Sequence, residues 1–79
     1  MEDRHGGGEV TLHFPGGWWK VEEARVTVSG PLCLRDILAQ VGVSASLPGV
    51  ALRGGCLIGS DDPVFPFDVV TLLPPLGGG

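Results

Sequence analysis

Most side chains in this sequence that could do chemistry stand at spacings that argue against it. Cys33 and Cys56 lie 23 positions apart with no CxxC pair, and neither His5 nor His13 falls at ligand spacing from them. No metal site is predicted, and both cysteines read as free thiols. No Ser/His/Asp set and no pair of carboxylates facing across a cleft can be drawn. "GGWWK" follows a strand but lacks the GxxxxGK[ST] spacing of a phosphate loop. Asp61-Asp62 precedes Pro63 and reads as a solvated turn, while Glu9, Glu22, Glu23 and His13 read as exposed strand residues. Lys20 is the sole lysine, so the chain offers little as an acceptor for conjugation. What remains is the closing stretch "TLLPPLGGG", where Gly77, Gly78 and Gly79 carry a terminal carboxylate on bare backbone. Such a tail holds no catalytic side chain of its own, and an enzyme in its own right is the weakest reading of these residues.

A carboxylate is held out usefully only by a folded body, and the composition predicts one. The 79 residues allow one domain with a modest core. The hydrophobic share is 43% against 18% charged, which reads as globular. Fourteen glycines and seven prolines predict short elements joined by tight turns. The net charge of −4, with five Lys plus Arg, leaves no basic surface for phosphates, which argues against direct nucleic-acid binding. No 18-residue apolar run and no signal-peptide pattern is present, so a soluble, cytoplasmic protein without a membrane partner is expected.

Residues 1–8, "MEDRHGGG", read as a flexible leader. "EVTLHFP" alternates, with Val10, Leu12 and Phe14 on one side, and predicts a half-buried strand. Gly16-Gly17 reads as a tight hairpin turn, and "WWKVEEARVTVSG" as the returning strand, with Trp18 and Trp19 on opposite faces. Leu34, Ile37, Leu38 and Val41 recur at helical spacing, predicting about three turns from Pro31 to a stop at Gly42. "VALRGGCLIG" reads as two short strands around Gly54-Gly55, "SDDPVFPFD" as a loop, and "VVTLLPP" as a last strand ended by Pro74 and Pro75. The order fits an α+β fold in which one main helix crosses a mixed sheet of 4–5 strands, the last strand parallel to the first. That is the β-grasp arrangement, although another small α+β topology fits the pattern as well. The domain is expected over residues 9–75 and a flexible tail over 76–79.

The closing residues resemble a family signature. "DVVTLLPPLGGG" is similar to the end of the small sulfur-carrier proteins of the molybdopterin-synthase small-subunit and thiamine-biosynthesis kind (MoaD/ThiS type), prokaryotic relatives of ubiquitin. Asp68 matches the acidic position, Val69 to Leu73 the strand, Pro74-Pro75 the proline pair and Gly78-Gly79 the glycine pair. The family often has Gly before the acidic residue and a charge after it, where this chain has Phe67 and Val69. Pro-Pro leans toward the molybdopterin or tungstopterin branch and its relatives in RNA thiolation, while a triple glycine also occurs among the thiamine carriers.

The resemblance implies that the Gly79 carboxylate is adenylated by an ATP-dependent enzyme, converted to a thiocarboxylate, and emptied of its sulfur by an accepting synthase subunit. No cofactor is bound by the carrier; ATP and Mg²⁺ belong to the activating partner. Glycines lack the Cβ that would jam a narrow channel, and three of them extend about 10 Å. Pro74-Pro75 stiffens the exit, and Leu76 is the last side-chain anchor. Val70 and Leu72 should face the core, leaving Val69, Thr71 and Leu73 outward as a docking patch or a face covered by a neighbour. Two rivals remain: a ubiquitin-like modifier joined to other proteins through Gly79, and a non-covalent docking module.

Overall fold

A computed structural model describes residues 7–75, so most of the expected leader and the whole tail Leu76–Gly79 lie outside the described residues. Seven strands form: β1 Gly8–His13, β2 Glu23–Val28, β3 Leu32–Cys33, β4 Val50–Arg53, β5 Cys56–Ile58, β6 Pro63–Val64 and β7 Val69–Leu73. One helix, α1, spans Leu34–Gln40. Five strands make a mixed sheet in the order β2-β1-β7-β4-β5, and β3 pairs with β6 as a small second sheet. β1 and β7 run parallel, while the β1–β2, β4–β5 and β4–β7 pairs are antiparallel.

The expected alternation holds where the core is built. Val10, Leu12 and Phe14, together with Val70 and Leu72, are fully buried. From across the layer Leu34, Ile37 and Leu38 of α1 close over them, joined by Val26, Val28, Val43, Ala51 and Val64. These are aliphatic and aromatic side chains on one face of the sheet and one stripe of a helix, the standard two-layer solution for a small core.

Three local expectations are corrected. The first strand begins at Gly8, inside the predicted leader. The hairpin is wider than a two-residue turn: a 3-10 turn at Pro15–Gly17 puts Gly16 and Gly17 at φ 80° and 68°, and the strand resumes only at Glu23. Trp18 and Trp19 therefore lie outside any strand. Both turn to Phe14, Trp18 edge-on at 5.6 Å between ring centroids and Trp19 stacked at 4.9 Å. The helix has seven residues rather than three turns. Leu32–Cys33 is drawn instead into pairing with Pro63–Val64. The carbonyls of Asp62 and Ser60 accept the otherwise unpaired N–H groups of Leu34 and Arg35, both at 3.0 Å. Gly42 does stop the helix, at φ 84°. The Gly54-Gly55 turn also forms as expected, with both residues at positive φ.

Phe67 has φ 73°, the one positive value outside glycine among the described residues. Its N–H donates to the Glu9 carbonyl at 2.9 Å, and the N–H of Asp68 donates to the Phe65 carbonyl at 3.0 Å. The ring lies over Gly8, where a Cβ would come within 2.4 Å of it, yet the residue stays 74% exposed. A left-handed non-glycine costs about 1–2 kcal/mol. Chemical denaturation should therefore find F67G more stable than F67A by about 1 kcal/mol, since both lose the ring and only glycine relieves the backbone. Equal midpoints would show an unstrained turn.

Candidate functional site

The register divides the sheet's outer face into two halves. Leu73 lies beside Val50, Thr71 beside Leu52, and Leu52 beside Leu57, so β7, β4 and β5 present aliphatic side chains away from the helix. Val69 is 54% exposed and Leu57 72%. On β1 and β2 the same face carries Glu9, Thr11, His13, Glu23, Arg25 and Thr27. Arg25 meets Glu23 at 2.9 Å and Glu9 at 4.0 Å, pairs that are solvent-exposed and contribute little stability. Val69 and Leu73 thus stand on the outer face with Val70 and Leu72 in the core, as the alternation predicts.

The strand that bears them ends between two hydrogen bonds. In the parallel ladder Thr11 donates to the Asp68 carbonyl at 3.0 Å, and two-residue steps carry the pattern to residue 15 and the Leu72 carbonyl. Residue 15 is Pro15, which has no N–H. The Trp18 indole Nε1–H takes that place, donating to the Leu72 carbonyl at 2.9 Å across 54 residues of sequence. On the β4 side the Gly49 N–H donates to the Leu73 carbonyl at 2.8 Å. A Cβ on Gly49 would lie 2.7 Å from both the Pro74 oxygen and the Pro75 Cα, so the outgoing chain passes directly against bare backbone. Pro74 and Pro75 are exposed. Leu76, Gly77, Gly78 and Gly79 lie beyond the described residues.

Asp68, the acidic residue of the signature, works as a latch at the other end of the strand. Its carboxylate accepts the Phe65 N–H at 2.9 Å and lies 3.8 Å from the Arg53 guanidinium. Arg53 also donates to the Pro63 carbonyl and sits 6.0 Å from the Phe65 ring centroid. The connection before the strand is thereby tied to β4. On the helix side a groove of about 200 Å³ runs between α1 and β4, lined by Leu34, Leu38, Pro48, Ile58 and Ser60 among others. Apart from the Ser60 hydroxyl its lining side chains are apolar, and none of them is an acid or base. Among the described residues no three His, Cys, Asp or Glu side chains gather as a metal site. No helix there is long and apolar enough to cross a membrane.

Neither Trp18 as a donor nor Gly49 as a close-approach glycine stands out in the sequence. The available signal is Pro15: a proline in the phase of a ladder donor leaves a carbonyl of the neighbouring strand in need of another partner.

No protein-family model matches the chain, and no curated protein matches it. The fold has a counterpart in the solution structure of the Haloferax volcanii HVO 2177 protein, with a TM-score of 0.69 at 20% identity over 100% of this chain and 93% of that one. Identity at that level speaks to architecture alone: a small α+β domain with a mixed five-stranded sheet and one helix.

Substituting Gly49 by alanine should strain the strand's exit. Overpacking of this kind costs about 1–3 kcal/mol. We expect a lowered denaturation midpoint, with NMR shift changes concentrated at residues 48–50 and 73–75. An unchanged midpoint would mean that the exit has slack.

Proposed function

We propose that this chain is a β-grasp sulfur carrier, loaded at the Gly79 carboxylate and docked on its partner enzymes through the outer face of β7. One observation carries the reading. The strand leading to "LGGG" is paired on both sides, exposes Val69 beside an aliphatic surface, and hands the chain outward at Pro74–Pro75. The parallel β1–β7 pair, with a helix in the connection between them, supports the β-grasp assignment.

In the proposed cycle a carboxylate oxygen of Gly79 attacks the α-phosphorus of ATP, and pyrophosphate leaves. A sulfide-level nucleophile then attacks the acyl carbon of the resulting mixed anhydride and displaces AMP, leaving a thiocarboxylate. In an acceptor enzyme the thiocarboxylate sulfur attacks an electrophilic carbon of the precursor and displaces its leaving group, and water then hydrolyses the acyl–sulfur bond, returning the Gly79 carboxylate and leaving the sulfur on the product. The carrier contributes binding and reach, while catalytic side chains, ATP and Mg²⁺ are the activating enzyme's. A cytoplasmic setting suits Cys33 and Cys56, which are free thiols. The acceptor favoured by the proline pair is a molybdopterin or tungstopterin precursor, with thiamine thiazole and a tRNA base as the alternatives.

Intact mass of the protein from its native cells, kept under reducing conditions, tests the loading. A gain of about 16 Da on the C-terminal peptide, one oxygen replaced by sulfur, is expected. A branched peptide joining Gly79 to a lysine of another protein would favour the modifier reading instead. An unmodified Gly79 that also resists ATP and the cell's adenylating enzymes would leave a docking module. For the surface, Val69→Lys should raise the KM for activation roughly tenfold, a typical hot-spot loss, with the thermal midpoint unchanged because the side chain is exposed. An unaltered KM would remove Val69 from the interface.

A further inference from the structure

We infer that Trp18 and Gly49 are positioning residues that together aim the chain's exit, an assignment that rests on the tail being the loaded end. The two donors reach the last two carbonyls of β7 from opposite sides, Trp18 Nε1 to Leu72 at 2.9 Å and Gly49 N to Leu73 at 2.8 Å. Neither bond belongs to a strand pair: β1 ends its pairing with β7 at His13–Thr71, and β4 begins its own at Val50–Leu73. The β1 ladder has therefore stopped before Leu72, where Trp18 acts, and on the other flank Gly49 adds a bond one residue before the first β4 rung, so together they tie the end of β7 from both sides.

Each donor is itself held in place. The Trp18 ring packs against buried Phe14, whose N–H donates to the Glu22 carbonyl at 2.7 Å and closes the turn that presents the indole. Gly49 is pinned because only a residue without Cβ fits beside Pro74 and Pro75. A third feature converts a fixed strand end into a fixed direction: Pro74 and Pro75 restrict φ at the next two residues. Orientation set at Leu72–Leu73 is thus carried stiffly to the start of "LGGG". For a tail that must reach an adenylating centre, aim at its root reduces the ordering lost on insertion.

The test uses the full chain with Trp18→Phe, which keeps an aromatic ring near Phe14 but removes the N–H, and Trp19→Phe as a packing control without that bond. Hydrogen exchange at the Gly49 amide reads the clamp from its far side. In Trp18→Phe it should speed up about tenfold relative to the Leu12 amide, while in Trp19→Phe the two should move together. With the activating enzyme, ATP–pyrophosphate exchange should show a three- to tenfold higher KM for Trp18→Phe and kcat within twofold. Should Trp18→Phe not fold, a synthetic chain with benzothienylalanine at position 18 keeps the ring's shape without the donor. Unchanged Gly49 exchange relative to Leu12 in the donor-deleted protein would overturn the assignment. Absence of ATP–pyrophosphate exchange by the unaltered chain would instead sink the carrier reading, with the clamp still decided by the amide measurement.

Discussion

A strand hydrogen-bonded on both sides cannot fray as an edge strand does, and β7 is held between parallel β1 and antiparallel β4. The rest of the fold follows from that placement. A parallel partner for the first strand cannot be reached by a hairpin, so the chain must cross from one end of the sheet to the other. It does so with α1, whose Leu34, Ile37 and Leu38 then lie over Val10, Leu12, Val70 and Leu72. The core of this small protein is largely the surface buried where the first strand, the last strand and the helix meet. Lost pairing of β7 would open that core and loosen the strand's exit at Pro74–Pro75 together.

The same placement decides how the outer face is divided. β7 lies at the middle of the sheet, with the charged β1–β2 pair on one flank and aliphatic β4 and β5 on the other. Glu9, Glu23 and Arg25 keep the first half solvated. Val69, Leu73, Val50, Leu52 and Leu57 give the second half an apolar character that α1, packed on the opposite face, does not cover. The aliphatic half is thus bordered by Glu9 on β1 and the Glu23–Arg25 pair on β2.

How much of this is legible in sequence depends on whether a feature is local. The alternation of Val10, Leu12 and Phe14, the helical stripe Leu34, Ile37, Leu38, the Gly54-Gly55 turn and the stop at Gly42 each lie within a few residues, and each forms. The start of α1 is not local. Leu34 and Arg35 find acceptors at Asp62 and Ser60, so the helix begins where a loop nearly 30 positions away meets it, not where Pro31 would start it. Phe67 is half legible: the carriers that the closing residues resemble often have glycine at that point, and here an aromatic residue adopts the left-handed backbone glycine would take. The exit is the least legible. Trp18 and Leu72 are 54 positions apart, and nothing in "GGWWK" shows that its first tryptophan serves the other end of the chain.

Prolines set the geometry at that exit by what they lack. Pro15 withholds the donor that would extend β1 alongside Leu72, and on β7 itself Pro74 withholds the next donor toward β1 and Pro75 the next one toward β4. A sheet with ordinary residues at these positions could add a further rung. β7 thus ends at Leu73, and Pro74 and Pro75 lie exposed outside it. Pro15 leaves the Leu72 carbonyl without its ladder donor, which the Trp18 indole N–H replaces, while the Gly49 N–H bonds the Leu73 carbonyl one residue before β4 begins. A side-chain donor and a lone backbone N–H satisfy those oxygens without continuing a strand. The last strand can therefore be hydrogen-bonded up to its final residue and still end abruptly.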